Sequence, residues 1–346
     1  MERKRELDYM NAAACLLVIL IHVLSTGIVK PGKSILKAVI YLPWKFSAFV
    51  VPLFIYTAAV KVAQRYGGQK ITGKIYLNYC LNRIKKIYIP YVLWCAVYCA
   101  YRLHEGQAVG TIGELFWDVL IGKLSSQFYF VVIIMQFYLT MPLWVRMLER
   151  VPAILGIGVS LFVSLCMAPA PTFLSYYNIA FPYKDRFFLT YCIYWAAGLY
   201  AGKYYDRLIP VLRERRTLLY SGTAAAVHCV LSYVIYINEF YVPGLSGVEI
   251  VVDLLSILLL HAVCLGLRPG FVTTTLQKIC GASFSVYLSH CLFLMMTESY
   301  LYSHGVTRLS WTLPVRAAVC YTVPFLLYWV LSKLRGVFRQ RRISKT

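Results

Sequence analysis

With 346 residues, 60% of them apolar and only 14% charged, this chain cannot cover a water-exposed surface of ordinary polarity, where roughly a quarter of residues carry charge. The mean hydropathy of +0.65 and repeated apolar runs near the length of a membrane span exclude a soluble enzyme and predict an all-α, polytopic integral membrane helix bundle. The 35 basic against 14 acidic residues give a net charge of +21, but the basic residues sit mainly between apolar runs and no zinc-finger spacing occurs, so nucleic acid is excluded as a partner.

Ten stretches have the length and polarity of spanning helices, near 10–29, 46–62, 87–101, 128–148, 154–168, 187–201, 218–236, 248–267, 284–302 and 312–330. They are too long and too continuously apolar for barrel strands, whose signature is shorter alternation. The first run follows Arg3, Lys4 and Arg5, yet it exceeds a signal-peptide core, and Ser25-Thr26-Gly27 makes no clean cleavage site. It is therefore expected to remain as the first span. Ten spans put both termini on one side, and assigning that side to the cytoplasm collects most of the basic residues there. Lys30, Lys33, Lys37 and Lys45 run against this assignment.

Ile112, Leu115, Phe116, Val119 and Leu120 recur at helical spacing opposite Glu114 and Asp118, which predicts a short helix lying in the outer interface. Residues 1–332 are expected to form the transmembrane domain and 333–346 a basic tail on the anionic lipid leaflet, through Lys333, Arg335, Arg339, Arg341, Arg342 and Lys345. The 11 cysteines fall mostly inside apolar runs and make no CxxC, so they read as small packing residues rather than as a disulfide or metal framework.

An ionisable side chain within a span is costly, and each one needs a reason. His22 lies thirteen residues beyond Tyr9, roughly 20 Å along the first helix and a little past the midplane. A neutral imidazole there can accept and return a proton or carry an acyl group; it can equally be a packed, hydrogen-bonded histidine. Asn11 precedes it by eleven residues, about three turns plus 20°, so the two share a face. Arg83 and Lys86, three apart at the basic entry to the third span, could hold the phosphates of a nucleotide-like cosubstrate, though ordinary anchoring gives the same pattern. Tyr287 and His290, again three apart, could line the same cavity or form a structural pair. Asp253 and Glu298 fall near outer helix ends as further cavity-lining candidates, while His228 and His261 are expected to serve helix packing. There is no HExxH, GxSxG or phosphate-binding glycine loop, and no metal site is expected.

Taken in order, these pieces resemble the bacterial membrane acyltransferase type 3 family. The segment LDYMNAAACLLVILIH is similar to the family's first-helix motif, a basic residue, ten intervening residues and a histidine, with His22 in place and Asn11 at the basic position. RIKKIYIPY resembles its RxxR followed by an aromatic and Pro, with Lys86 as the second cation. FYFVVIIMQFYLTMPL, YWAAGLYAG and SFSVYLSH resemble its later motifs, so the likeness covers nearly the whole chain. It implies a multi-pass protein of the bacterial cytoplasmic membrane that transfers an acyl group, usually acetyl, from cytosolic acyl-CoA to a hydroxyl of a surface glycan or lipid-linked sugar. Acyl-CoA would then be a cosubstrate rather than a resident cofactor. His22 would be the base or acyl carrier, and Arg83, Lys86 and position 11 would meet CoA. No segment here resembles the extracellular hydrolase-like domain that some members append, so an acceptor-handling partner protein is expected. The alternatives are an exopolysaccharide exporter or, because Asn11 replaces the basic residue, a non-catalytic homologue. The enzyme reading predicts one hydrated chamber shared by His22 and Arg83.

Overall fold

The apolar runs become helices because a backbone in lipid must satisfy its own hydrogen bonds. The computed structural model describes residues 4–29, 34–240, 242 and 244–343, all of it helix, turn or connection with no strand among the described residues. In chain order the helices are α1 (Arg5–Ser25), α2 (Ile35–Phe46), α3 (Val50–Tyr66), α4 (Gly73–Arg83), α5 (Ile89–His104), α6 (Ile112–Leu120), α7 (Tyr129–Leu139), α8 (Met141–Arg150), α9 (Ala153–Met167) and α10 (Ala170–Ser175). They continue as α11 (Cys192–Lys203), α12 (Tyr205–Arg213), α13 (Arg215–Ile237), α14 (Leu245–Gly266), α15 (Phe271–Ser303) and α16 (Leu309–Ile343). Lys30, Lys33, Arg3 and Lys345 lie outside the described residues, as do the tail side chains from Arg335 onward.

Among the described residues, six helices are long and apolar enough to cross a membrane, or seven if the pair α7–α8 counts as one span. The ten-span expectation is not met by that measure. The stretches expected at 87–101, 154–168 and 187–201 are helical, but α5, α9 and α11 have only 16, 15 and 12 residues, against the roughly 20 that a span needs. Apolar runs set where helices form; breaks set how long they stay straight. The α7–α8 pair bends by 58° at Thr140, just before Pro142, which has no N–H to continue the ladder. A five-residue π-helical segment, Ile84–Tyr88, joins α4 to α5. A 3-10 turn, Ser47–Phe49, joins α2 to α3 four residues after Pro43, whose carbonyl accepts the Ser47 hydroxyl at 2.7 Å.

The amphipathic stretch forms α6 as expected. Thr111 and Glu114 cap it reciprocally, and the Thr111 amide and hydroxyl hold the Glu114 carboxyl below its ordinary range. Ile112 and Phe116 project outward while Leu115 and Val119 pack on the core.

At the centre, α1 packs on α3 and α15, and α3 on α11. Gly198 and Gly202 stand one turn apart on α11, against α3. A Cβ at Gly198 would meet Tyr56 backbone oxygen and, at 2.8 Å, Ala59 Cβ; one at Gly202 would meet Val60 oxygen at 2.8 Å. This small-xxx-small face lets the backbones touch. Gly158 on α9 has nothing within 4 Å of a built Cβ. Gly198→Ala is therefore expected to cost about 1–3 kcal/mol and lower the thermal midpoint of the detergent-purified protein, while Gly158→Ala leaves it unchanged. Equal midpoints for the two variants would refute the close α3–α11 contact.

Candidate active site

Three cavities lie in a row along the bundle. The first, about 300 Å³, opens among the early part of α1, the late part of α3 and the end of α4, so it belongs to the end of the bundle where the N-terminus lies. Asn11, Thr57, Lys61, Arg83 and Ser283 line it. Asn11 spends its amide locally, donating to Leu7 oxygen at 2.7 Å and accepting from the Thr57 hydroxyl at 2.9 Å. The cation that position 11 lacks is present one turn beyond Thr57. Lys61 lines this cavity, with its ammonium 3.6 Å from the Asp8 carboxylate. Arg83 enters at the π-helical segment, its guanidinium 4.3 Å from the Tyr138 ring centre and 4.9 Å from that of Tyr79. Lys86 is exposed and lies outside the residues lining the cavity. The three-residue spacing that would pair it with Arg83 assumes an α-helix, and the π turn is wider.

The second cavity, about 190 Å³, holds His22 together with Val18, Trp44, Gln127 and Tyr129. It shares Phe130 and Tyr287 with the first, and the two rings stand edge to face at 5.7 Å. The expected single chamber is thus two, divided by an aromatic wall. Helical spacing correctly puts Asn11 and His22 on one face of α1, but the rings between them come from α7 and α15.

Behind His22 lies His290, fully buried, with ring centres 5.2 Å apart and planes tilted by 55°. His290 Nδ1 is within 2.9 Å of Tyr287 oxygen and 3.1 Å of Val286 oxygen. Two carbonyls can only accept, so the proton sits on Nδ1 and Nε2 is left as the acceptor, 3.3 Å from Cys291 Sγ. The donor atoms of His22, His290 and Cys291 lie within 4.8 Å of one another, the one group among the described residues that could converge on a metal ion. The Tyr287 hydroxyl donates to Gln127 oxygen, fixing the wall to the cavity it closes.

The third cavity, about 320 Å³, lies toward the opposite end of the bundle and shares Ala48, Val51 and Tyr129 with the second. Asp253 lines it, accepting the Tyr194 hydroxyl at 2.8 Å; so do Lys45 and Glu249, paired at 2.5 Å. His228 also lines it, a place that the packing expectation missed, whereas His261 is fully buried between the hydroxyls of Tyr205 at 3.1 Å and Tyr56 at 3.4 Å. Glu298 lines none of the three cavities. It stands 3.4 Å from Arg316 Nε, in an ion pair without hydrogen-bond alignment, tying α15 to α16.

Sequence reasoning passed over Lys61, Trp44, Phe130 and Tyr129. Lys61 had a legible signal, a lysine within an otherwise apolar helix. Trp44 had none; it lines the cavity that holds His22, and its buried indole N–H has no partner.

The acyltransferase domain family matches residues 4–333, nearly the whole chain. The chain belongs to the acyltransferase 3 family. A protein of Bacillus subtilis (strain 168) that bears the name of a membrane-bound acyltransferase, YfiQ, is 24% identical over 347 residues, covering 96% of this chain and 92% of the relative. A protein of Staphylococcus aureus (strain MRSA252) that bears the name of a poly-beta-1,6-N-acetyl-D-glucosamine export protein is 26% identical over 312 residues, covering 85% and 83%. No solved structure matches. With six to seven candidate spans and these relatives, this acyltransferase 3 family member is a multi-pass bacterial membrane protein.

Because Glu298 serves a helix tie, Glu298→Gln in the purified acyltransferase 3 protein is expected to lower stability by no more than about 1 kcal/mol and to leave turnover per folded molecule intact. A large loss of turnover without a change in the thermal midpoint would place Glu298 in the reaction instead.

Proposed function

We propose that this protein transfers an acyl group, acetyl in the simplest case, from cytosolic acyl-CoA to a hydroxyl of a surface glycan or lipid-linked sugar across the bacterial cytoplasmic membrane. The observation that carries this reading is the row of cavities, with a basic one at the N-terminal end, His22 in the middle and a polar one beyond. Arg83 and Lys61 bind the CoA phosphates as the N-terminal, cytoplasmic doorway. Lys61 supplies the charge that Asn11 does not, and Lys86 adds a third cation near the mouth.

The thioester reaches His22 when the Phe130 and Tyr287 rings part. His22 takes the proton from the acceptor hydroxyl, and the freed oxygen pair bonds to the thioester carbonyl carbon. The carbonyl oxygen gains the negative charge, and the unpartnered Trp44 N–H donates to it. Collapse of the tetrahedral intermediate breaks the C–S bond, and the departing thiolate takes the proton back from His22 as free CoA. His290 is a positioning residue, its ring fixed by two backbone carbonyls and its Nε2 turned from them. An acceptor-handling partner protein would present the glycan.

In nanodiscs with labelled acetyl-CoA, His22→Ala is expected to lose about 10²–10⁴-fold in transfer and Trp44→Phe about 10²-fold in kcat. Arg83→Gln and Lys61→Gln should instead raise the acyl-CoA KM. Unimpaired transfer by His22→Ala ends this assignment. The name of the Staphylococcus aureus relative motivates the export alternative. Deleting an enzyme leaves the polymer on the surface without acyl groups, whereas deleting an exporter removes the polymer, and mass spectrometry of surface glycans separates the two.

A further inference from the structure

The third cavity is not needed by the donor half of the reaction, yet it is the most polar of the three. Its volume of about 320 Å³ sits at the small end of ligand cavities, roughly 300–1,000 Å³. That suits a compact ring better than a lipid chain. Its charges balance and are already engaged: Lys45 with Glu249, Asp253 with the Tyr194 hydroxyl, and Lys184 with Ala168 oxygen at 2.9 Å. A charged ligand would leave one of these groups without its counterpart, at a large cost in a half-buried site. A neutral ligand rich in groups that both donate and accept can join each pair without breaking the balance. Carboxylates then accept from it, ammoniums donate to it, and Tyr129 and Tyr191, which also line the cavity, add aromatic surface for its C–H groups.

Glu249 and Asp253 stand four residues apart on α14, hence on one face, and both line this cavity. Its floor is Ala48, Val51 and Tyr129, the same three residues that roof the His22 cavity. We propose that this cavity is the acceptor subsite, holding one uncharged pyranose residue of a glycan between Asp253 and Lys45 so that a free hydroxyl passes Ala48 and Tyr129 to His22. This rests on the acyl-transfer reading and names where, and with what charge, its acceptor binds. Ala48 sits in the 3-10 turn between α2 and α3 and lines both cavities.

The test uses the full chain in nanodiscs with labelled acetyl-CoA and three probes: methyl β-glucoside, its uronate analogue and its 2-amino analogue. The neutral glycoside is expected to be acylated in preference to both charged ones. Asp253→Asn should raise its KM about tenfold, the loss of one charged hydrogen bond, with the acyl-CoA KM unmoved. Ala48→Leu, which leaves every charge in place, should lower transfer to the glycoside with the acyl-CoA KM again unmoved. A glycoside KM unaltered in both variants, or equal use of the uronate or amine, overturns the subsite. Wild-type protein that neither hydrolyses acetyl-CoA nor acylates any probe overturns the acyl-transfer reading beneath it.

Discussion

Two imidazoles packed ring against ring where α1 meets α15 are the constraint around which this bundle is arranged. A histidine within a span survives only with polar company, and His22 has it in His290, whose ring is held by carbonyls of its own helix. The two rings meet because α15 packs closely on α1. The aromatic wall of Phe130 and Tyr287 follows from the same packing, since Tyr287 sits one turn before His290 and reaches Gln127 on the neighbouring turn.

From that centre the polar groups divide by depth. Cations gather at the N-terminal end, where Lys61 and Arg83 line the first cavity, and mixed charges gather in the third. Between them the lining is apolar apart from His22, Trp44, Gln127 and two tyrosines. On the proposed acyl-transfer reading, such a gradient confines proton transfer to one short stretch and keeps bulk water from the thioester. The breaks in the helices mark the same places. The π-helical segment carries Lys86 just past Arg83, and the 3-10 turn after Pro43 carries Ala48 to the junction of the two farther cavities. Irregular backbone at depth is tolerated where it lines a cavity.

The resemblance read from LDYMNAAACLLVILIH and SFSVYLSH led to the family to which the chain belongs, and it named the two histidines that the fold sets together. Asn11 stands where the family's first-helix motif carries a cation. In three dimensions Lys61, fifty residues later, lines the first cavity. Glu298 was legible as an acid near the outer end of a span and a cavity-lining candidate, but not as a helix tie, because Arg316 reaches it from a different helix.

The sequence by itself determined the helical class, the membrane setting, the shared face of Asn11 and His22 and the capped helix α6, because these depend on local periodicity, on composition and on side chains within a turn or two. Only the tertiary structure decided that one expected chamber is two, that Lys86 stays outside, that Trp44 lines the His22 cavity with a buried N–H that has no partner, and that Lys45 meets Glu249. Each of those depends on which helices touch and at what angle. That is set by small residues such as Gly198 and by the bend at Thr140, whose effects are felt far along the chain from where they occur.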